Sequence, residues 1–376
     1  MSLPVTAPIA DSRSPSVGIV VPCRNEAQSV CEVLDAVAAQ DRPPDQVVLV
    51  DDGSTDGTAE AIAGWQRGRA TPAVQVIAGP GRGVAAAVNA GIAALRTEIV
   101  LRLDGHCRPA ADYVRRVVAL SVQSGVGVAG GAWTIRPGAP TLEAEAMAIA
   151  VAHPLGSGGV AYRRPLERCP SLRSADYQVR GASRQRSSVR GPESPRYEEL
   201  EVDTVPFGCF RRVLWQELQG FDERLQTNED YDFNFRVRQR GLKVMLDPAI
   251  RCDYYARGTL GAVARQYGRY GWWKARMLAR APRAIRWRQL MPALLVPVLL
   301  IFVAGVALTG RWGWCALLVL YPLVVFIAAL HAAVSRRRWA AIGWIAGAFF
   351  AIQLMWSTAF WASLVWRGVG KGEVAA

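Results

Sequence analysis

The sequence has no CxxC pair, and its seven cysteines are scattered at irregular spacing through 376 residues. That pattern excludes a disulfide framework and a structural zinc site, and it fits reduced thiols in a cytosolic domain. Zinc-finger, RNA-recognition and basic-zipper patterns are also missing, so the formal net charge of +13 is not read as nucleic-acid binding. The start, MSLPVTAPIADSRSPS, lacks a basic n-region and an apolar core. No cleavable signal peptide is expected there, and residues 1–16 read as a flexible tail. Asp, Glu, Lys and Arg are absent from three long runs, 290–308, 313–334 and 339–366, of which the second holds only His331 as a possible charge.

Each run is long enough to cross the roughly 30 Å hydrocarbon core as a helix. Arg280, Arg283, Arg286 and Arg288 precede the first run, and Arg336, Arg337 and Arg338 separate the second from the third. The positive-inside rule then places the N-terminal domain and the Arg336 loop in the cytosol, as part of an integral inner or plasma membrane protein. Residues 259–288 mix Val263, Tyr267, Tyr270, Trp273 and Met277 with Arg265, Arg269, Arg276 and Arg280. That mixture predicts a basic amphipathic helix in the interface, or a surface helix of the domain. Residues 289–368 hold the three spans, and 369–376 form a tail.

The first 135 residues alternate two periods. Strands are expected at 17–22, 46–50, 73–78, 98–103 and 125–133. Helices are expected at 27–40, 55–66, 84–95 and 110–123. Repeated βα units predict an α/β domain over 17–258, a mostly parallel sheet with helices on both faces. A helix is expected at 142–152, a mobile loop over about 156–200, then ordered chain at 202–210 and a helix at 211–219.

Chemistry gathers at the strand ends. The run VVLVDDGSTDGT delivers Asp51 and Asp52 to a carboxyl edge, where open α/β sheets bind ligands. Two adjacent acids suit the donors of a nucleotide base and ribose, and equally a turn with an Asp cap. PCRNE puts Asn25 and Glu26 at the neighbouring tip, where helix capping is the plain alternative. GPGRGVAAAVNAG allows close backbone approach to a ligand, with Arg82 able to meet a phosphate, though it also reads as a tight turn before a small-residue helix. Asp104 and His106, two apart on an extended segment, point to one side and suit Mg²⁺ or Mn²⁺. In TNEDYDFNFR, Glu229, Asp230 and Asp232 supply a general base or a dipole-favoured helix start, and Asp230 and Asp232 cannot share one helical face.

In this order, VVPCRNE, VVLVDDGSTDGT, GRGVAAAVNAGI, LRLDGH, GCFRR and NEDYDFNFRVRQRG resemble the family 2 glycosyltransferases, which have the GT-A nucleotide-sugar fold. HPLGSGGVAYRR and VDTVPFGCFRR, with the spans, are most similar to membrane-anchored glucosyltransferases of succinoglycan-type exopolysaccharide synthesis. The resemblance implies that Asp52 binds the base, that Asp51, Pro22, Asn25 and Glu26 line its pocket, and that Arg82 approaches the diphosphate. It implies that Asp104 holds the divalent ion, with His106 in the last place of the family's D-x-D pattern. Glu229 and Asp230 match the ED pair, with Asp230 the base. Gln266 and Arg269 match a QxxRW motif that here ends in Tyr270, and would meet acceptor or diphosphate. The stretch 166–197 looks like an arginine-rich insertion. The expected reaction is inverting transfer from a UDP-linked or similar nucleotide sugar to a lipid-linked acceptor. A polyprenyl-phosphate glycosyltransferase, a nucleotidyltransferase and a non-catalytic scaffold are the competing readings.

Overall fold

In the computed structural model, which describes residues 14–67, 72–163, 198–284 and 286–369, the β-branched runs become the centre of one sheet. Strands β1 (Val17–Cys23), β2 (Gln46–Asp51), β3 (Val74–Ala78) and β4 (Ile99–Arg102) run parallel in the order β3-β2-β1-β4. Helices α1 (Val30–Ala38), α2 (Thr58–Gln66) and α3 (Val84–Ala94) supply the crossovers. Val17, Ile19 and Val21 pack into one hydrophobic cluster with α1, while Val20 packs into another with α3, so the sheet is covered on both faces.

Beyond β4 the sheet turns mixed. The order continues β8 (Cys209–Arg211), β6 (Val126–Arg136), β9 (Lys243–Tyr255), β5 (Cys107–Pro109). β8 is antiparallel to both its neighbours, β6 and β9 are parallel, and β7 (Leu200–Glu201) pairs with β9. Helices α4 (Tyr113–Ser121), α5 (Leu142–Ala152), α6 (Pro154–Ser157), α7 (Arg212–Glu217) and α8 (Glu229–Gln239) complete the domain.

Several expectations shift. The helix expected from Ala27 begins at Val30, and the one expected from Thr55 begins at Thr58. Side-chain bonds hold both approaches as turns: Asp56 accepts from the amides of Ala27 and Thr58. The thirteen-residue strand β9 was not expected at all. Its alternation is obscured by Pro248, which falls where the register with β6 jumps from Asp247 to Arg251. Such an irregularity is where a strand tolerates a residue without an N–H. The ordered chain expected at 202–210 is irregular over residues 202–208, and α6 and the 3-10 turn Ala161–Arg163 lie inside the expected loop. The arginine-rich stretch 166–197 lies outside the described residues.

Three C-terminal helices, α10 (Trp287–Thr309), α11 (Cys315–Ser335) and α12 (Ile342–Val369), are long and apolar enough to cross a membrane. They are joined to the domain by α9 (Leu260–Arg280). The amphipathic pattern of α9 holds, but its apolar face does not lie open: Val263 and Tyr267 pack with Ile345, Phe349 and Ile352 of α12. The helices approach so closely at Gly271 that any Cβ there would strike the Trp356 carbonyl of α12. Arg338 reaches back to Glu145 of α5, an Nε–Oε1 contact of 2.6 Å, so the loop between α11 and α12 sits on the domain side.

Gly271→Val is expected to lower the melting temperature of the detergent-purified protein, at an overpacking cost of about 1–3 kcal/mol. Gly343→Ala, where an added Cβ meets nothing within 4 Å, should leave it unchanged. Equal melting of both variants would show that the α9–α12 contact does not hold the spans to the domain.

Candidate active site

Register brings the strand ends together. Cys23 pairs with Asp51 and Asp51 with Ala78, so β1, β2 and β3 finish in line. Asn25 follows β1 in the left-handed region, with φ of 57°, which Asn tolerates well. Its Oδ1 accepts from the Thr55 amide at 2.8 Å, and Asp51 Oδ1 accepts from the Ser54 amide at 2.9 Å. Asn25 and Asp51 thus lock two turns against each other.

Asp52 is buried, and both its oxygens are engaged: Oδ1 by the Gly81 amide at 2.7 Å, Oδ2 by the Gly83 amide at 3.0 Å. Gly81 and Gly83 have φ of 69° and 101°, conformations open to glycine, and these turn their N–H groups onto the carboxylate. Asp52 therefore shapes the glycine loop, a task the sequence does not announce. Each of its oxygens keeps a second lone pair for a ligand. On the same loop Arg82 pairs with Glu223 at 2.9 Å, and Glu223 also accepts from Asn89 of α3.

Asp104-Gly105-His106 is a turn between β4 and β5, not the extended segment expected. Arg102, the last residue of β4, fixes one end of it. Its Nη2 donates to Asp104 Oδ1 at 3.1 Å, and its Nη1 donates to Glu229 Oε1 at 2.8 Å. The two carboxylates hold the guanidinium firmly protonated against its burial. Burial pushes the Glu229 carboxyl well above the usual range; Arg102 opposes the rise and Asp230 adds to it. At the other end His106 Nδ1 lies 2.9 Å from Glu26 Oε1. Burial disfavours charge on both, but their mutual bond wins: His106 is raised and Glu26 lowered from their ordinary values.

Pro22, Glu26, Asp52, Arg82, Asp104, His106, Glu229, Asp230, Gln266 and Arg269 all line one cavity of about 700 Å³. Of the residues singled out in the sequence, Asn25, which is exposed, and Asp51 do not line it. Asp232 turns away and pairs with Arg236 at 2.8 Å. Gln266 donates to the Tyr254 and Tyr270 hydroxyls at 3.2 and 3.0 Å. Sequence reasoning missed Arg102, which no motif marks; its signal was a lone arginine ending an otherwise apolar strand. It also missed that Ile352, Gln353 and Trp356 of α12 close the cavity's far side.

Among the described residues no three His, Cys, Asp or Glu groups come together to hold a metal. Asp104 keeps one oxygen beyond its Arg102 bond, and His106 keeps Nε2. That pair suits Mg²⁺ or Mn²⁺ provided substrate oxygens complete the shell, which is how Mg²⁺ is usually held beside phosphates.

Replacing Arg102 with Met leaves two carboxylates facing each other without their shared cation. The expected loss is about 3–5 kcal/mol of stability, read as a fall in melting temperature, and Arg102→Lys should recover part of it. Unchanged melting would remove Arg102 from the centre of the site. For Glu26 and His106 the sign is set by both shifts. A lowered Glu26 contributes above its ordinary 4.5 and is lost as pH falls; a raised His106 contributes below its ordinary 6.5 and is lost as pH rises. The melting difference between the protein and Glu26→Gln, in EDTA, should therefore peak between those values, and a difference flat with pH would break the pair.

Residues 18–173 match the family described as Glycosyl transferase family 2. The chain is 27% identical over 362 residues to the succinoglycan biosynthesis protein ExoA of Rhizobium meliloti, covering 92% of this chain and 94% of that one. It is 36% identical over 110 residues to an undecaprenyl-phosphate 4-deoxy-4-formamido-L-arabinose transferase of Pseudomonas savastanoi, 28% of this chain and 33% of the relative. Among solved structures, a mannosyltransferase from Pyrobaculum calidifontis, in complex with GDP-Man and Mn²⁺, superposes with a TM-score of 0.60 at 20% identity, over 94% of this chain and 88% of that one. Residues 18–173 thus carry a glycosyltransferase family 2 domain, and the chain has the GT-A fold.

Proposed function

We propose that the enzyme transfers a sugar, with inversion, from a nucleotide diphosphate sugar to a hydroxyl of a lipid-linked saccharide. One observation carries this reading: the tips at Asp52, Asp104 and Asp230 line a single cavity whose far wall is a membrane-type helix. Asp52, the glycine loop and Pro22 receive the nucleotide, with Arg82 exchanging Glu223 for the diphosphate. Asp230, at the first turn of α8, takes the proton from the attacking hydroxyl. Glu229 stays with Arg102 and holds the helix start in place. Orientation of the hydroxyl behind the anomeric carbon turns an encounter into an intramolecular attack. Asp104 and His106 would hold Mg²⁺ or Mn²⁺, which when bound offsets charge on the departing diphosphate.

Exopolysaccharide or cell-envelope glycan synthesis follows the name of the Rhizobium relative, and a UDP-linked donor follows the resemblance in the sequence. The Mn²⁺ in the Pyrobaculum structure supports the same metal choice. The domain faces the cytosol in this reading, because the arginine loop that touches Glu145 is the charged one. The Pseudomonas relative favours a second reading, transfer straight onto a polyprenyl phosphate.

Asp230→Asn should cut kcat about 10²- to 10⁴-fold while nucleotide-sugar binding persists. Mass spectrometry of lipid products from a Mn²⁺-supplemented membrane assay separates the two acceptors. A saccharide on a lipid diphosphate supports the proposal, and a sugar on a lipid monophosphate supports the alternative. Full turnover by Asp230→Asn would defeat the site assignment.

A further inference from the structure

Arg163 has no part in the arrangement above, yet it lines the same cavity. It ends the 3-10 turn Ala161–Arg163 that follows α6. Its Nη1 donates to the Tyr267 hydroxyl of α9 at 3.1 Å. Its guanidinium carbon lies 5.0 Å from the centre of the Trp133 ring and 5.5 Å from that of Tyr162. Trp133 in turn stacks on Tyr254, 3.9 Å between centroids and 1° from parallel. A cation thus rests on a rigid aromatic floor.

Among the described residues it has no anionic partner, and the groups bearing most strongly on its charge are tyrosines 162, 267, 270 and 254. Burial raises the hydroxyl pKa of Tyr162, Tyr267 and Tyr270, so these side chains stay protonated. Two donors are moreover stranded: Arg163 Nε and Trp133 Nε1 are buried with no hydrogen-bond partner among the described residues. A buried unpaired donor is costly, and a buried uncompensated charge more so. A guanidinium that stacks on an aromatic face while its fork stays open is the usual arrangement for gripping phosphate or carboxylate.

Location decides between these anions. The donor's diphosphate is served elsewhere, by Arg82 and Asp104. Tyr162 and Arg163 line the cavity together with Asp230, the proposed base. On the other side stand Ile352, Gln353 and Trp356 of α12, and outward from them the exposed apolar faces of the spans. An anion placed here is joined to something apolar that follows those faces. We propose that Arg163, together with Trp133 Nε1, binds the phosphate of an isoprenoid-linked acceptor and so sets the acceptor hydroxyl before Asp230. This rests on the lipid-linked acceptor proposed above and adds the residues that recognise its phosphate.

The test uses the full chain in detergent, with UDP saturating so that the nucleotide site is filled. Farnesyl diphosphate, farnesyl monophosphate, farnesol and galacturonate are titrated against the wild type, Arg163→Gln and Arg163→Lys. The phosphorylated probes should bind the wild type and weaken about ten- to a hundredfold in Arg163→Gln, less in Arg163→Lys, with farnesol indifferent to the change. UDP affinity, measured separately, should be the same in all three proteins. Undiminished phosphate binding by Arg163→Gln overturns the inference. So does a parallel loss of UDP affinity, which would make the arginine a mere support of the cavity. Galacturonate binding that depends on Arg163 while the farnesyl phosphates do not bind would also overturn it, in favour of an acidic sugar. Absence of UDP binding by the wild type would instead strike at the donor reading, and the farnesyl titrations would still decide the role of Arg163.

Discussion

One buried guanidinium holds the candidate site in shape. Arg102 closes β4 and bridges Asp104, on the turn after that strand, to Glu229, at the start of α8. Asp104 and Glu229 lie more than a hundred residues apart in sequence; Glu229 is buried, while Asp104 is half-buried. Glu229 could not be placed there alone, because an unpaired buried charge costs more than folding can readily absorb. Their shared cation makes the placement tolerable, and it fixes Asp230 with them, since Asp230 follows Glu229 directly in α8. Any shift of the end of β4 relative to α8 would break the 2.8 Å bond from Arg102 to Glu229.

Around that bridge the site is built in two halves with different mechanics. The half proposed for the nucleotide is a set of turns held by side chains that accept backbone amides: Asp52 under the glycine loop, Asn25 between neighbouring turns and Asp51 within its own. The half proposed for the acceptor is aromatic and helical, with Trp133 and Tyr254 stacked and Gln266 joining Tyr254 to Tyr270. The first half belongs to the sheet and the second leans on α9 and α12. The cavity exists because these two bodies face each other.

The parallel half of the sheet was legible because β-branched runs and small-residue helices alternate with little interference. The spans were legible for the same reason, as long stretches with one solvent preference. β9 was not, because Asp247 and Pro248 interrupt its alternation where the ladder slips. The candidate site was legible in its acids, which stand in recognisable order at the strand ends. Its basic and aromatic members were not: Arg102 and Arg163 are ordinary arginines in the sequence and become special only through what surrounds them. The placing of α9 was half legible. Its amphipathic character could be read from its residues, but the partner of its apolar face depends on a helix some eighty residues further on.

The close approach at Gly271 makes α12 a shared part, at once a membrane-type helix and one side of the reaction chamber. A helix in a bilayer answers hydrophobic mismatch by tilting. Tilt of α12 carries Ile352, Gln353 and Trp356 with it and leaves the turns beneath Asp52 where they are. Under the proposed function, membrane thickness would thereby act on how a lipid-linked acceptor is seated, separately from the binding of the nucleotide sugar. The bilayer would then serve as an adjustable jaw of the candidate site.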